Sequence, residues 1–245
     1  MDNPKKTGVA TMDKFELAED KLFDYLIEKG GLLDDPSNKL LLPPSQQRAK
    51  LKKELHEAAE NLDLDIDLAP ALHILTEEGT SYLDAEMYEE MARQLADVPI
   101  YLEQLDLSQP PKESLYASLH ISENTMLSIY KIGVAKYEEE NLEAALSLFG
   151  FLATLDHQNE EWLYRLGITA TQMEEWDQAL KAFTFALFRN PDLLGARLFS
   201  AECYLMLGQK YEANEEIKEA KRLIQLTSPE PFWLETLTTL EGAIK

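Results

Sequence analysis

Residues 160–193 read EEWLYRLGITATQMEEWDQALKAFTFALFRNPDL, and residues 126–159 before them read MLSIYKIGVAKYEEENLEAALSLFGFLATLDHQN. Aligned with each other and with residues 194–227, they keep one set of columns at a spacing of 34. Gly133, Gly167 and Ala201 share a column, as do Ala145, Ala179 and Ala213. Two further columns hold Phe149, Phe183 and Ile217, then Leu152, Ala186 and Ala220. Small residues at the eighth and twentieth positions of a unit let its two helices approach closely, while the aromatic at the twenty-fourth fills the space between units. One such unit cannot bury its apolar face alone, so the copies must stack.

This length and order, with Leu163, Leu166-Gly167, Ala179, Phe183 and Pro191 in the middle copy, are those of a tetratricopeptide repeat, two antiparallel helices per unit. The first copy has His157 in place of the proline, and the third has Arg197 and Ser200 at its early apolar positions. The expected fold is all-α, a solenoid of three repeats at about 126–159, 160–193 and 194–227 with a C-terminal capping helix over about 229–244. Trp233, Leu237, Leu240 and Ile244 give that helix its apolar stripe, and Ser228 and Pro229 are its start signal.

The region before the repeats reads as mainly helical. A polar leader runs to about Met12, and Phe15, Leu22, Phe23, Leu26 and Ile27 then form a short amphipathic helix that Gly30-Gly31 ends. Pro36 and Pro43-Pro44 hold Leu40-Leu41-Leu42 in an extended segment. A helix follows over Gln46–Asn61, and then the alternation Leu62-Asp63-Leu64-Asp65-Ile66-Asp67-Leu68. A calcium loop beginning at Asp63 would need glycine at Leu68 and glutamate at Ile74, so the alternation reads as an acidic edge or linker. Further helices are expected over Pro70–Glu78 and Asp84–Ala96, the second striped by Met87, Tyr88, Met91 and Leu95. Pro99, Pro110 and Pro111 break the next stretch, which places the division between an N-terminal region, 1–110, and a repeat domain, 111–245, with a lead-in helix from Pro111 to Leu119.

Composition narrows the function. Asp and Glu outnumber Lys and Arg by 45 to 23, a formal charge of −22, which argues against nucleic acid because phosphate binding needs clustered cations. The lone Cys203 forms no internal disulfide and fits a reducing cytoplasm. There is no apolar stretch near the length of a membrane span, so membrane insertion is not expected. His56, His73, His120 and His157 lack metal-ligand spacing, and neither a phosphate loop nor a nucleophile elbow occurs; no enzyme, metal or cofactor is expected.

In a tetratricopeptide array the first helix of each repeat lines a groove through its second, fifth, ninth and twelfth positions. Here these are Leu127, Tyr130, Val134 and Tyr137, then Glu161, Tyr164, Ile168 and Thr171, then Gly195, Leu198, Glu202 and Leu205. The expected peptide-binding residues are the apolar and tyrosine members: Leu127, Tyr130, Val134, Tyr137, Tyr164, Ile168, Leu198 and Leu205. Such a row suits an extended peptide with apolar side chains, and it lacks the Lys, Arg or Asn that would grip a terminal carboxylate.

Some of these residues go beyond what the repeat demands. The run Ile129-Tyr130-Lys131-Ile132-Gly133, then Tyr137, Leu142-Glu143-Ala144-Ala145, Phe149 and Leu155-Asp156-His157, resembles the first repeat of the class II type III secretion chaperones of the SycD, LcrH and IpgC type. The likeness continues through Leu166-Gly167, Trp176-Asp177-Gln178-Ala179-Leu180 and Ser200-Ala201-Glu202-Cys203, covering about residues 122–226. That family holds hydrophobic translocator subunits in the bacterial cytoplasm before export and binds a proline- and leucine-containing segment of them. The resemblance therefore implies a cytoplasmic chaperone with a secreted translocator as partner, Tyr130, Tyr137 and Tyr164 as groove residues, and leaves a homodimer open. A scaffold joining folded partners is the alternative. The long N-terminal region is a departure from the family pattern.

Overall fold

The computed structural model describes residues 67–104, 114–227 and 229–244. The chain divides into two units, Met1–Asn61 and Leu62–Lys245, and the described residues all belong to the second. The helices expected over 15–27 and 46–61, the Leu40-Leu41-Leu42 segment and most of the Leu62–Leu68 alternation lie outside the described residues.

Among the described residues the fold is all-α. Helices α1 (Ala69–Glu77), α2 (Ala85–Leu102) and the single turn α3 (Leu115–Ser118) precede three hairpins. These are α4 (Glu123–Glu138) with α5 (Leu142–Leu155), α6 (Glu160–Gln172) with α7 (Trp176–Arg189), and α8 (Leu194–Met206) with α9 (Lys210–Leu226). Helix α10 (Pro231–Ile244) follows, giving the three tetratricopeptide repeats and closing helix that the sequence predicts.

Local signals start and stop the helices in register. Ser122, Asn141 and Asn159 cap α4, α5 and α6 by accepting from the backbone N–H of Thr125, Ala144 and Glu161 at 3.2, 3.4 and 3.0 Å. Each hairpin turn has a left-handed residue at the same repeat position: Glu140, Glu174 and Gly208, with φ of 61°, 60° and 75°. The following N–H groups, of Asn141, Glu175 and Gln209, reach back five residues to Lys136, Ala170 and Tyr204 carbonyls at 2.9, 3.0 and 2.8 Å. This is the Schellman closure, which satisfies the last carbonyls of the first helix before the chain turns.

Within each repeat a small residue faces a large one. A Cβ on Gly133 would lie 2.9 Å from the buried ring of Phe149, and one on Gly167 only 2.5 Å from that of Phe183. In the third repeat Ala201 shares a core with Ile217, so a larger small residue goes with a slimmer partner.

The core does not stop at the expected division at 110. Ala71, Ile74, Leu75 and Met91 are buried in the same core as Ile129, Leu148 and Phe149 of the first repeat. Polar ties reinforce the join. The Ser147 hydroxyl donates to the Asp67 carbonyl at 2.9 Å and accepts from the Ala71 N–H at 3.0 Å. Gln94 accepts from the Ser122 N–H at 2.8 Å. The buried ammonium of Lys136 donates to Glu78 at 2.6 Å and sits 4.9 Å from the ring centre of Tyr82, whose hydroxyl donates to Glu139 at 3.0 Å. The bond to Glu78 raises the Lys136 pKa above its ordinary value. Two boundaries also differ from the sequence reading. α2 continues through Pro99 to Leu102, because a proline in the last turn forfeits one backbone bond while Val98 and Tyr101 pack on the core. α10 begins at Pro231, the first-turn position where a missing N–H costs nothing.

Two expectations follow from this packing. Gly167→Ala should destabilise by about 1–3 kcal/mol through overpacking against Phe183, and adding Phe183→Ile should recover part of that loss in urea unfolding. A neutral single variant would refute the close approach. A fragment of residues 112–245 should melt below one of residues 62–245, because it loses the cover that Ala71, Leu75 and Met91 give the first repeat; equal melting temperatures would show that α1 and α2 add no core.

Candidate peptide-binding groove

The first helices of the repeats, α4, α6 and α8, lie side by side, and the candidate site is built from the residues they present. Between α4 and α6 lies a shallow depression lined by Val134, Tyr137, Phe149, Arg165, Ile168 and Thr169. Phe149 is buried and half-buried Val134, Tyr137 and Ile168 form the walls, so the surface offered is apolar. Leu127 stands at the first-repeat end, 51% exposed.

The three tyrosines do different things. Tyr130 packs its ring 5.1 Å from that of Trp162 and 6.1 Å from that of Phe149, and its hydroxyl donates to Glu161 at 3.5 Å. Among the described residues Tyr137 makes no such ring pair, and it borders the depression directly. Tyr164 is wedged between Phe183 and Phe199, with centroids 6.1 and 6.3 Å away. Its hydroxyl occupies the space beside Gly195, where a Cβ would approach it to within 2.1 Å. Burial pushes the Tyr164 phenol up to about 12 and raises those of Tyr130 and Tyr137 as well, and nearby Arg165 opposes the shift in all three.

The third repeat is arranged differently. Leu198 is fully buried, in a core with Leu237 and Leu240 of α10, and Leu205 packs against the same core. Leu198 is thus a core residue rather than a groove residue. The physical reason is that the apolar stripe of α10 must be covered, and the face of α8 covers it. Thr171 is also closed off, donating to the Gly167 carbonyl at 2.9 Å. Glu202 remains half-buried, and burial raises its pKa.

Arg165 is the residue that scanning the second, fifth, ninth and twelfth positions passes over. It is at the sixth position, where its Nε donates to Glu161 at 2.7 Å and its guanidinium lies 5.9 Å from the centre of the Tyr130 ring. The spacing of four between Glu161 and Arg165 on one helix was the available signal. A cation therefore enters a groove whose expected lining was apolar and acidic. Cys203 is buried, with its thiol pushed up to about 11 by burial, and it takes no part in the groove surface. Among the described residues no cluster of His, Cys, Asp and Glu could hold a metal ion, and no helix is long and apolar enough to cross a membrane.

No family model matches the chain. Over 104 residues, 42% of this chain, it is 26% identical to the low calcium response locus protein H of Yersinia pestis, and the match spans 62% of that protein, less than two thirds of its length. A chain of the CopN–Scc3 complex superposes with a TM-score of 0.52 at 16% identity, over 64% of this chain and 99% of that one. The type III secretion chaperone SycD of Yersinia enterocolitica, solved with a peptide of the translocator YopD, gives a TM-score of 0.46 at 24% identity, over 50% of this chain and 92% of its own. The low calcium response locus protein H is of the kind whose resemblance the repeat residues carry, and the superposition with a chain of the CopN–Scc3 complex is a likeness of fold.

The pKa of Tyr164 has a consequence for stability. Unfolded tyrosine ionises near 10, so between about 10 and about 12 the folded state keeps a proton that the unfolded state releases. Stability is therefore unaffected by this group below pH ~10 and declines as the pH rises toward 12. Tyr164→Phe should flatten that alkaline decline in thermal melts, and an unchanged slope would mean that the phenol is solvated.

Proposed function

We propose that this chain is a type III secretion chaperone that holds an extended apolar segment of a hydrophobic, translocator-type substrate in the groove of α4 and α6 and keeps that substrate soluble before export. The observation that carries the reading is the apolar depression bounded by Val134, Tyr137 and Ile168 on neighbouring repeats, in a chain whose relative at 26% identity is the low calcium response locus protein H. The structure of SycD with a YopD peptide supplies the class of ligand. The mechanism is masking. Apolar cargo side chains exchange water for the groove wall, and the formal charge of −22 keeps the loaded protein from self-association.

We assign the peptide contacts to Leu127, Tyr130, Val134, Tyr137 and Ile168, with Tyr164 mainly supporting the wall from behind. Each phenol adds a hydroxyl able to bond the backbone of an extended peptide. Truncating Tyr137 removes groove surface with little core, so Tyr137→Ala should cost on the order of 2 kcal/mol of binding, about thirtyfold in affinity, at a nearly unchanged melting temperature. Tyr164→Ala should instead cost roughly 3–5 kcal/mol of stability, as for other packed aromatics. The measurement is co-expression with a type III secretion translocator of the same host, followed by titration of proline- and leucine-containing peptides cut from it. Full affinity in Tyr137→Ala, or a translocator equally insoluble with and without this chain, would sink the proposal.

A further inference from the structure

The groove contains one element that masking of apolar side chains leaves unused. Arg165 is the cation among the residues lining the depression, and its side chain is 40% exposed while Glu161, its partner, is 42% exposed. Glu161 engages Nε alone, whereas a guanidinium has five N–H donors in a planar fork that matches a carboxylate edge to edge. An exposed pair of this kind, four residues apart on a helix, contributes little by itself and leaves the cation available to a better placed anion. The Tyr130 ring lies 5.9 Å from the guanidinium, at the outer reach of a cation–π contact that favours the charge at this place.

The geometry points to Arg165 as the specificity determinant of the groove, selecting segments with a single carboxylate beside the apolar side chain that fills the depression; the inference rests on the peptide-binding function proposed above. The selected feature is one carboxylate, not an acidic run. Glu161 already stands beside Arg165, and with a formal charge of −22 the chain repels a ligand with several negative charges. Local attraction and general repulsion together define the ligand: an extended, mainly apolar segment of low net charge with Asp or Glu next to its anchor residue. A lysine in place of Arg165 keeps the charge but loses the two-pronged match, so the two cations are not equivalent here.

The test uses full-length protein and a displayed library of random dodecapeptides. Peptides recovered on the wild type should pair an aliphatic residue with a neighbouring Asp or Glu, and the enrichment should vanish when Arg165→Gln is the bait. For a synthetic peptide from the selection, changing its carboxylate to the amide should weaken binding roughly tenfold on the wild type and less than about twofold on Arg165→Gln, with Arg165→Lys between them. Melting temperatures of the two variants establish that they fold. Selected peptides without acidic enrichment, or an equal loss from the amide change on wild type and Arg165→Gln, overturn the role of Arg165. If those same peptides still depend on Tyr137, the proposed function stands without it; if no peptide is recovered at all, both readings fall together.

Discussion

The contact of Gly133 with the ring of Phe149, repeated between Gly167 and Phe183, sets how closely the two helices of a repeat approach. With the rings buried in that space, the second helix of each repeat is locked against the first, and the next repeat stacks on the surface so formed. In the third copy Ala201 and Ile217, at the same two columns, are buried in one core, so a larger small residue goes with a slimmer partner. Everything presented along α4, α6 and α8 inherits its spacing from these contacts. A groove lined from neighbouring repeats exists only because their separation is fixed.

A stack of repeats has two ends, and each must be covered. At the C-terminal end α10 brings Trp233, Leu237 and Leu240 onto the third repeat, closing the part of the row that Leu198 would otherwise have contributed. At the other end α1 and α2 cover the first repeat with Ala71, Leu75 and Met91, and buried Lys136 is satisfied there by Glu78 and the Tyr82 ring. Such a pair is stable only while both members are present, because an unpartnered buried ammonium is strongly destabilising. Among the described residues, the depression lies between these covers, at the first two repeats.

That remaining surface combines two opposing electrostatic features. The chain as a whole is strongly acidic, yet the depression contains a guanidinium held by Glu161 and flanked by the Tyr130 ring. The first favours solubility of an otherwise apolar complex. The second adds a directional contact where hydrophobic burial alone would accept any side chain of suitable size.

By itself the sequence determined the repeat. The period of 34, the paired small and aromatic columns and the stripe ending at Ile244 were all legible, because helix spacing and core size are imposed locally, one copy at a time. The apolar lining at Val134, Tyr137 and Ile168 was legible for the same reason, being a fixed set of positions on a known helix face. What only the tertiary structure decided is which positions stay open. Leu198 and Tyr137 look equivalent along the chain, yet one is sealed by α10 and the other borders the depression, since exposure depends on elements far away in sequence. Likewise, Pro99 looked like a break but lies inside α2, because the packing of Val98 and Tyr101 on the core outweighs one lost backbone bond.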